Sequence, residues 1–275
     1  IGLAFDLWSW PFLAFHLQAG GEVWDAEGTT ALVNGPAGVE ALEFLADLLP
    51  PGVAVRSPEM ADTGSDPHVL FKAGKLALML DGSWRAPNVE IDAPRLDFAI
   101  APLPHHRRRA VISGSVLWCV SAHTADPAAA WQMVKWLTAR EQALRYWDTL
   151  RVAPPALLSV VRGPEFRSTG GMVEQVDGRA VVRVPPMPPE RFDDRAAWLL
   201  HAITPDPQTG ERPGRLVLGR YQRDLEINIQ GAISAVVKRE QSAQAALDAA
   251  VAATHAIIDR DRMSRGLPPV ERAGR

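Results

Sequence analysis

Proline-started amphipathic segments alternating with short apolar runs are what most limits the folds open to this chain. Asn34-Gly35-Pro36 supplies a cap and a proline suited to a first helical turn, after which Val39, Leu42, Leu45 and Leu49 recur at helical spacing. The pattern predicts an amphipathic helix lying on a sheet. Asp126-Pro127 repeats the device, with Trp131, Val134 and Leu137 on one face, and Thr138 to Glu141 reads as a capping box for a second helix through Trp147. Further on, Leu225, Ile229, Ala232 and Val236 line one helix, and Ser242 opens another carrying Leu247, Val251, Thr254 and Ile258. Between these helices, Leu76 to Leu80, Leu96 to Ala101, Val116 to Ser121 and Val181 to Val184 read as strands covered on both sides. Helices alternating with such strands specify an α/β fold.

The size of the chain permits two lobes: 275 residues and 29.9 kDa exceed one modal domain, and 47% hydrophobic against 22% charged residues is an ordinary globular balance. A net charge of −3 provides no positive field for phosphate backbones or anionic lipid, so no nucleic acid or membrane-surface partner is expected. The longest apolar stretch, Leu3 to Phe15, is broken by Asp6, Ser9 and Pro11 and falls short of the ~20 residues that span a bilayer. One cysteine, Cys119, excludes an intrachain disulfide without fixing the compartment. The chain begins Ile-Gly-Leu-Ala-Phe, with no initiator Met and no basic leader, and reads as an internal start. At the other end, Ser264 to Arg275 lose periodicity and read as a frayed tail.

Catalytic signatures are missing from the sequence. There is no Gly-x-Ser-x-Gly elbow, no His-Glu-x-x-His and no Gly-x-Gly-x-x-Gly. The Ala73-Gly74-Lys75 end resembles a phosphate loop only faintly, since Val69 replaces its first glycine and Leu76 stands where a hydroxyl would bind magnesium. His105-His106 and Arg107 to Arg109 lack a third ligand at metal spacing and read as a solvated loop. Asp193-Asp194 and Asp206 to Glu211 lack the alternating oxygens of a calcium loop and read as surface turns. No metal and no cofactor is expected.

Tryptophan is the informative residue, with nine against two tyrosines. Trp131, Trp136, Trp147 and Trp198 sit inside helical patterns, where a large ring is expected in the core. Trp8, Trp10 and Trp84 instead fall at element ends, Trp84 directly after a strand and the Asp81-Gly82-Ser83 turn. Ligands collect at the ends of parallel strands. An indole face is a flat apolar platform for the C–H face of a sugar, and adjacent Asp and Asn groups can take its hydroxyls. On these residues alone, core packing and ligand platform weigh equally for the three rings.

The run Leu70-Phe71-Lys72-Ala73-Gly74-Lys75-Leu76-Ala77-Leu78-Met79-Leu80-Asp81-Gly82-Ser83-Trp84 resembles the F-x-x-G-K-x-A-M-x-x-x-G-x-W signature of extracellular solute-binding proteins of the carbohydrate ABC-transporter class. Trp10-Pro11, Gly20-Gly21, Asp25, Ala101 to Pro104, Ser113-Gly114, Ala130-Trp131, Pro154-Pro155 and Ala245 to Leu247 accompany it in the family's order. The resemblance implies a two-lobed, periplasmic-binding-protein-like (type II) α/β fold that closes by hinge motion, with most of the first lobe missing. It places residues 1–94 in the second lobe, 95–150 as a return into the first, 151–263 as the closing part of the second and 264–275 as the tail. By the same resemblance Trp84 stacks on the ligand beside Asp81, Trp8 and Trp10 line the cleft, Gly114 admits backbone from the first lobe, and Phe192 adds a further aromatic contact. Ser113-Gly114 stands where Gly-Gly is common, and 198–220 reads as an insertion.

The function so implied is non-catalytic capture of a sugar or oligosaccharide by a monomer, periplasmic or lipid-anchored at the cell surface, and its delivery to ABC-transporter permease subunits. A glycoside hydrolase would use the same platforms but needs two carboxyls ~5–9.5 Å apart, a spacing that sequence does not reveal. A ligand-loaded partner of a sensor protein is the third reading.

Overall fold

In the computed structural model, residues 2–49, 66–114, 117–151, 154–168, 170–195, 200, 202–207, 209–217 and 219–272 are described. A short strand β1 (Leu3–Phe5) leads into helix α1 (Ser9–Gln18), followed by α2 (Pro36–Asp47) and α3 (Pro67–Lys72). Strand β2 (Leu78–Leu80) runs parallel to β1, with Leu3 opposite Leu78 and Phe5 opposite Leu80. A 3₁₀ turn (Ser83–Arg85) and helix α4 (Ala86–Asp92) follow, then β3 (Val111–Ser113). Helices α5 (Pro127–Leu137) and α6 (Arg140–Leu150) form a hairpin. Beyond it lie α7 (Leu158–Val161), the hairpin β4 (Met172–Val176) and β5 (Arg179–Val184), and α8 (Pro189–Arg195). Strand β6 (Gly214–Leu216) pairs parallel to β3, and α9 (Gln222–Val237) and α10 (Ala243–Ser264) close the chain.

Local chemistry explains where the helices start. Pro36 occupies the first turn of α2, where its missing N–H costs nothing, and Leu42 and Leu45 face inward, as expected. The Asp126 carboxylate accepts the Ala129 N–H at 2.9 Å to cap α5, and Ser242 accepts the Ala245 N–H at 3.3 Å to cap α10. The Thr138 capping box does not form. The Thr138 hydroxyl donates back to Val134 O at 2.8 Å, finishing α5, and α6 starts after an uncapped Ala139.

The main core gathers Phe5, Phe12, Leu13, Leu42, Leu45, Leu225, Ile229, Ile233 and Leu247 from β1, α1, α2, α9 and α10. Polar contacts lock this body. Gln18 donates to Ala110 O at 3.0 Å, and Arg108 donates to Leu17 O at 2.6 Å and Gly21 O at 2.7 Å. Arg108 is therefore an anchor at the C-terminal end of α1, and the basic run is more than the solvated loop expected from sequence. A smaller core joins Trp147, Val161, Phe166, Met187 and Phe192. Ala110 to Ser113 pack against the main core and β6, and Trp147 lies within the smaller core.

Several sequence expectations are corrected. Leu96 to Ala101 and Leu117 to Ser121 form no strand, because an isolated apolar run has no ladder of N–H and C=O partners among the described residues. Leu78 is 64% exposed, so β2 is not covered on both faces. Trp131 and Trp136 are 56% and 55% exposed rather than core, and no residue of α5 is buried. Only Trp147 of the helical tryptophans is confirmed as core; Trp198 and Val116 lie outside the described residues. Within the 198–220 segment, Gly214 to Leu216 supplies the strand beside β3. The tail is not frayed from Ser264: Asp259 accepts the Val270 N–H at 3.1 Å and pairs with Arg272 at 2.8 Å, folding residues through 272 back onto α10. The Asp177-Gly178 hairpin turn, both residues at positive φ, is a signal present in the sequence but overlooked.

Candidate functional site

Strand register assembles the site. Because β1 and β2 are parallel and Phe5 stands opposite Leu80, their C-terminal ends open on one edge, and residues 6–10 and 81–85 leave side by side. Trp8 is the N-cap residue of α1, with extended backbone (φ −132°, ψ 176°), and Trp10 lies in the first turn. Within a regular helix, residues two apart do not face each other. The extended Trp8 backbone removes that restriction, and the two indoles stack with centroids 5.0 Å apart and planes 10° from parallel. Trp84, in the 3₁₀ turn after β2, meets both at near right angles, 5.9 Å from Trp8 and 5.8 Å from Trp10. All three rings are half-buried.

Two glycines touch this cluster. A Cβ on Gly82 would lie 2.1 to 2.3 Å from three ring atoms of Trp84, and one on Gly114 would lie 2.6 Å from Cη2 of Trp10. Gly114 follows β3, so Trp10 brings the end of a second parallel pair to the cluster. Asp81 lines the same cleft: its carboxylate accepts the Gly82 N–H at 2.6 Å and pairs with Arg85 at 3.3 Å. Burial pushes the Asp81 carboxyl above its ordinary range, opposed by the Gly82 N–H and Arg85 and reinforced by Asp6. Indole rings and a hydrogen-bonding carboxylate thus line the same cleft.

Trp8, Trp10, Trp84, Asp81 and Gly114, named from sequence, are therefore brought together. Phe192 is not. It is fully buried, 5.4 Å from Phe166 and beneath the Arg167 guanidinium at 4.8 Å, because its place on α8 faces the smaller core. It is a packing residue, and the expectation of a ligand contact there is withdrawn. Asp25 is a turn residue, accepting the Thr29 and Thr30 N–H groups at 2.7 and 3.0 Å. Gly82 and Arg85 were missed; the sequence signal for Gly82 was its place two residues before Trp84, inside the turn already recognised.

The cleft containing the indoles measures about 2680 Å³, well beyond the ~300–1,000 Å³ of a compact small-molecule pocket. It extends from Trp8, Trp10 and Trp84 along Phe98 to His106 and across Gln142, Tyr146 and Leu150 of α6. Among the described residues, no cluster of His, Cys, Asp and Glu could hold a metal, and no helix is long and apolar enough to cross a membrane.

The fold is of the type II periplasmic-binding-protein class, and solved structures share it. The maltose/maltodextrin-binding domain from Bdellovibrio bacteriovorus bound to maltotriose superposes with a TM-score of 0.67 at 17% identity, over 94% of this chain and 60% of that one. A maltose-bound protein of T. maritima gives 0.64 at 18% identity (93% and 60%), and the cyclic α-maltosyl-1,6-maltose binding protein from Arthrobacter globiformis gives 0.63 at 22% (94% and 60%). Residues 2–173 match the model of a bacterial extracellular solute-binding protein, and the chain belongs to that family. It is also 25% identical over 243 residues to the maltotriose-binding protein of Pyrococcus abyssi, spanning 81% of this chain and half the length of that relative.

Proposed function

We propose that this chain captures a carbohydrate, without chemically altering it, at the corner formed by Trp8, Trp10 and Trp84, and that it does so outside the cytoplasmic membrane for delivery to an ABC-transporter permease. The observation that carries this reading is the convergence of three half-buried indoles and the Asp81 carboxylate on one parallel-strand edge. Indoles offer a sugar its apolar face, while the carboxylate accepts its hydroxyls. The maltotriose-binding relative from Pyrococcus abyssi supports a maltooligosaccharide as the first ligand to test.

The reading includes a second lobe. Residues 1–94 and 151–263 are assigned to one lobe and 95–150 to a segment crossing into the other, with the protein acting as a monomer. The exposed Trp118, Trp131 and Trp136 support this assignment, because large apolar side chains left uncovered call for a covering surface. The opposite wall of the cleft then comes from polypeptide outside residues 1–275.

Isothermal titration calorimetry of the full-length protein against maltotriose tests the proposal, with product analysis of the same mixture. The expected result is reversible binding at micromolar Kd or tighter, about −8 kcal/mol, with the sugar recovered intact. No binding across maltose, maltotriose and larger glucans would remove the ligand assignment, and steady release of shortened sugar would replace the receptor by a hydrolase.

A further inference from the structure

We propose that Gly82 and Gly114 are positioning residues of the indole cluster, each lacking a side chain so that a tryptophan ring can occupy the space a Cβ would fill. Gly82 has φ −85° and ψ 160°, an extended conformation open to any residue, so left-handed backbone geometry does not require glycine there. Space does. With a Cβ 2.1 to 2.3 Å from the Trp84 ring, an alanine at position 82 would displace that indole. The cheapest response is rotation of the ring, because the collision is with the far end of a side chain rather than with backbone.

The same logic applies on the other side of the cluster. A Cβ on Gly114 would meet Trp10 at 2.6 Å, and Trp10 is stacked on Trp8 at 5.0 Å. The Trp8–Trp10 pair is therefore held between Gly114 and the perpendicular Trp84, which rests on Gly82. Displacing either outer ring changes the angle between the walls that a ligand would meet. The two seats come from separate strand ends, β2 and β3, so the cluster also registers their relative position. Neither glycine needs to touch the ligand for this role.

The test has a spectroscopic arm and a binding arm; only the second rests on the carbohydrate reading. Closely packed indoles couple excitonically, so the far-ultraviolet circular dichroism of the full-length protein should carry a couplet that changes in Trp8→Ala, where only the Trp10–Trp84 pair at 5.8 Å remains. Gly82→Ala and Gly114→Ala should each alter that couplet and weaken maltotriose binding at least tenfold, with a near-unchanged unfolding midpoint. Gly231→Ala, where nothing lies within 4 Å, is the control and should change neither. The decisive comparison is the double variant: Gly82→Ala should have no further effect once Trp84→Ala has removed the ring, and Gly114→Ala none in Trp10→Ala. Should Gly82→Ala fail to fold, Gly82→Ala with Trp84→Ala should fold. An unchanged couplet in the glycine variants, equal losses with and without the partner tryptophan, or a double variant that also fails to fold would overturn the proposal. If the wild-type protein ignores maltotriose, the function reading fails while the couplet still decides the seats.

Discussion

Trp8 and Trp10 stack with centroids 5.0 Å apart and ring planes within 10° of parallel, although they are only two residues apart in the chain. Two carbon surfaces in contact already need ~3.5–4.0 Å between atoms, so no sugar ring fits between these indoles while they remain stacked. A ligand at this edge must use their outer surfaces or Trp84. Trp84 is the one ring of the three contributed by a different strand end.

Trp84→Ala is accordingly expected to weaken maltotriose binding by the full-length protein tenfold or more, about 1.4 kcal/mol, with only a slight shift in unfolding midpoint. Calorimetry and thermal unfolding on the same samples check this. A loss of several kcal/mol in stability at unchanged affinity would make Trp84 an ordinary packing residue.

Trp147 should behave in the opposite way. Its ring is buried, stacks on Phe166 at 4.5 Å and donates Nε1–H to Phe166 O at 3.0 Å. Trp147→Ala should cost ~3–5 kcal/mol in chemical denaturation through the cavity it leaves. Ligand affinity of the folded fraction should stay as in wild type.

Trp131 tests the second lobe. Its exposed ring on α5 makes Trp131→Ala nearly neutral in the 275-residue chain, within ~0.5 kcal/mol. If polypeptide outside residues 1–275 covers α5, the same substitution in the full-length protein should cost ~3 kcal/mol or more. Equal effects in both would leave α5 a solvent-facing helix and withdraw the lobe assignment.

Stability should rise with pH through the histidine range. Burial lowers the pKa of His16 from 6.5, and its ring is sealed against Phe12 while Nε2 meets Glu22 O at 3.0 Å. As pH falls through 6.5, the unfolded chain takes up the proton before the folded one does, so stability present above 6.5 is lost toward the lower folded pKa. His68, also lowered by burial, adds in the same direction. Urea denaturation from pH 8 down to pH 5 should show the decline, and His16→Gln should flatten it. An unchanged slope in that variant would count against His16.

The hairpin turn offers a backbone test. Gly178 has φ +73°, where an L side chain crowds its own carbonyl. Gly178→Ala should cost about 1–2 kcal/mol. Hydrogen exchange should show the loss concentrated in residues 172–184, whereas a uniform loss of protection would mean the turn is not the strained element.

Sequence by itself determined the features that depend on a few neighbouring residues. The Pro36 and Asp126-Pro127 helix starts, the Ser242 cap and the inward faces of α9 and α10 are local matters of backbone donors, fixed φ and spacing, and they are found where the sequence places them. The Leu70 to Trp84 motif likewise pointed to the family to which the chain belongs. Burial was decided elsewhere. A helical stripe put Trp131 in the core and the family resemblance put Phe192 at the ligand, yet one is exposed and the other sealed, because neither signal specifies which surface, if any, lies against a side chain. The gathering of Trp8, Trp10, Trp84 and Gly114 likewise required the parallel registers of β1 with β2 and of β3 with β6. Those registers join residues far apart in the chain, and only tertiary structure sets which strand ends meet and how closely an indole can approach a glycine.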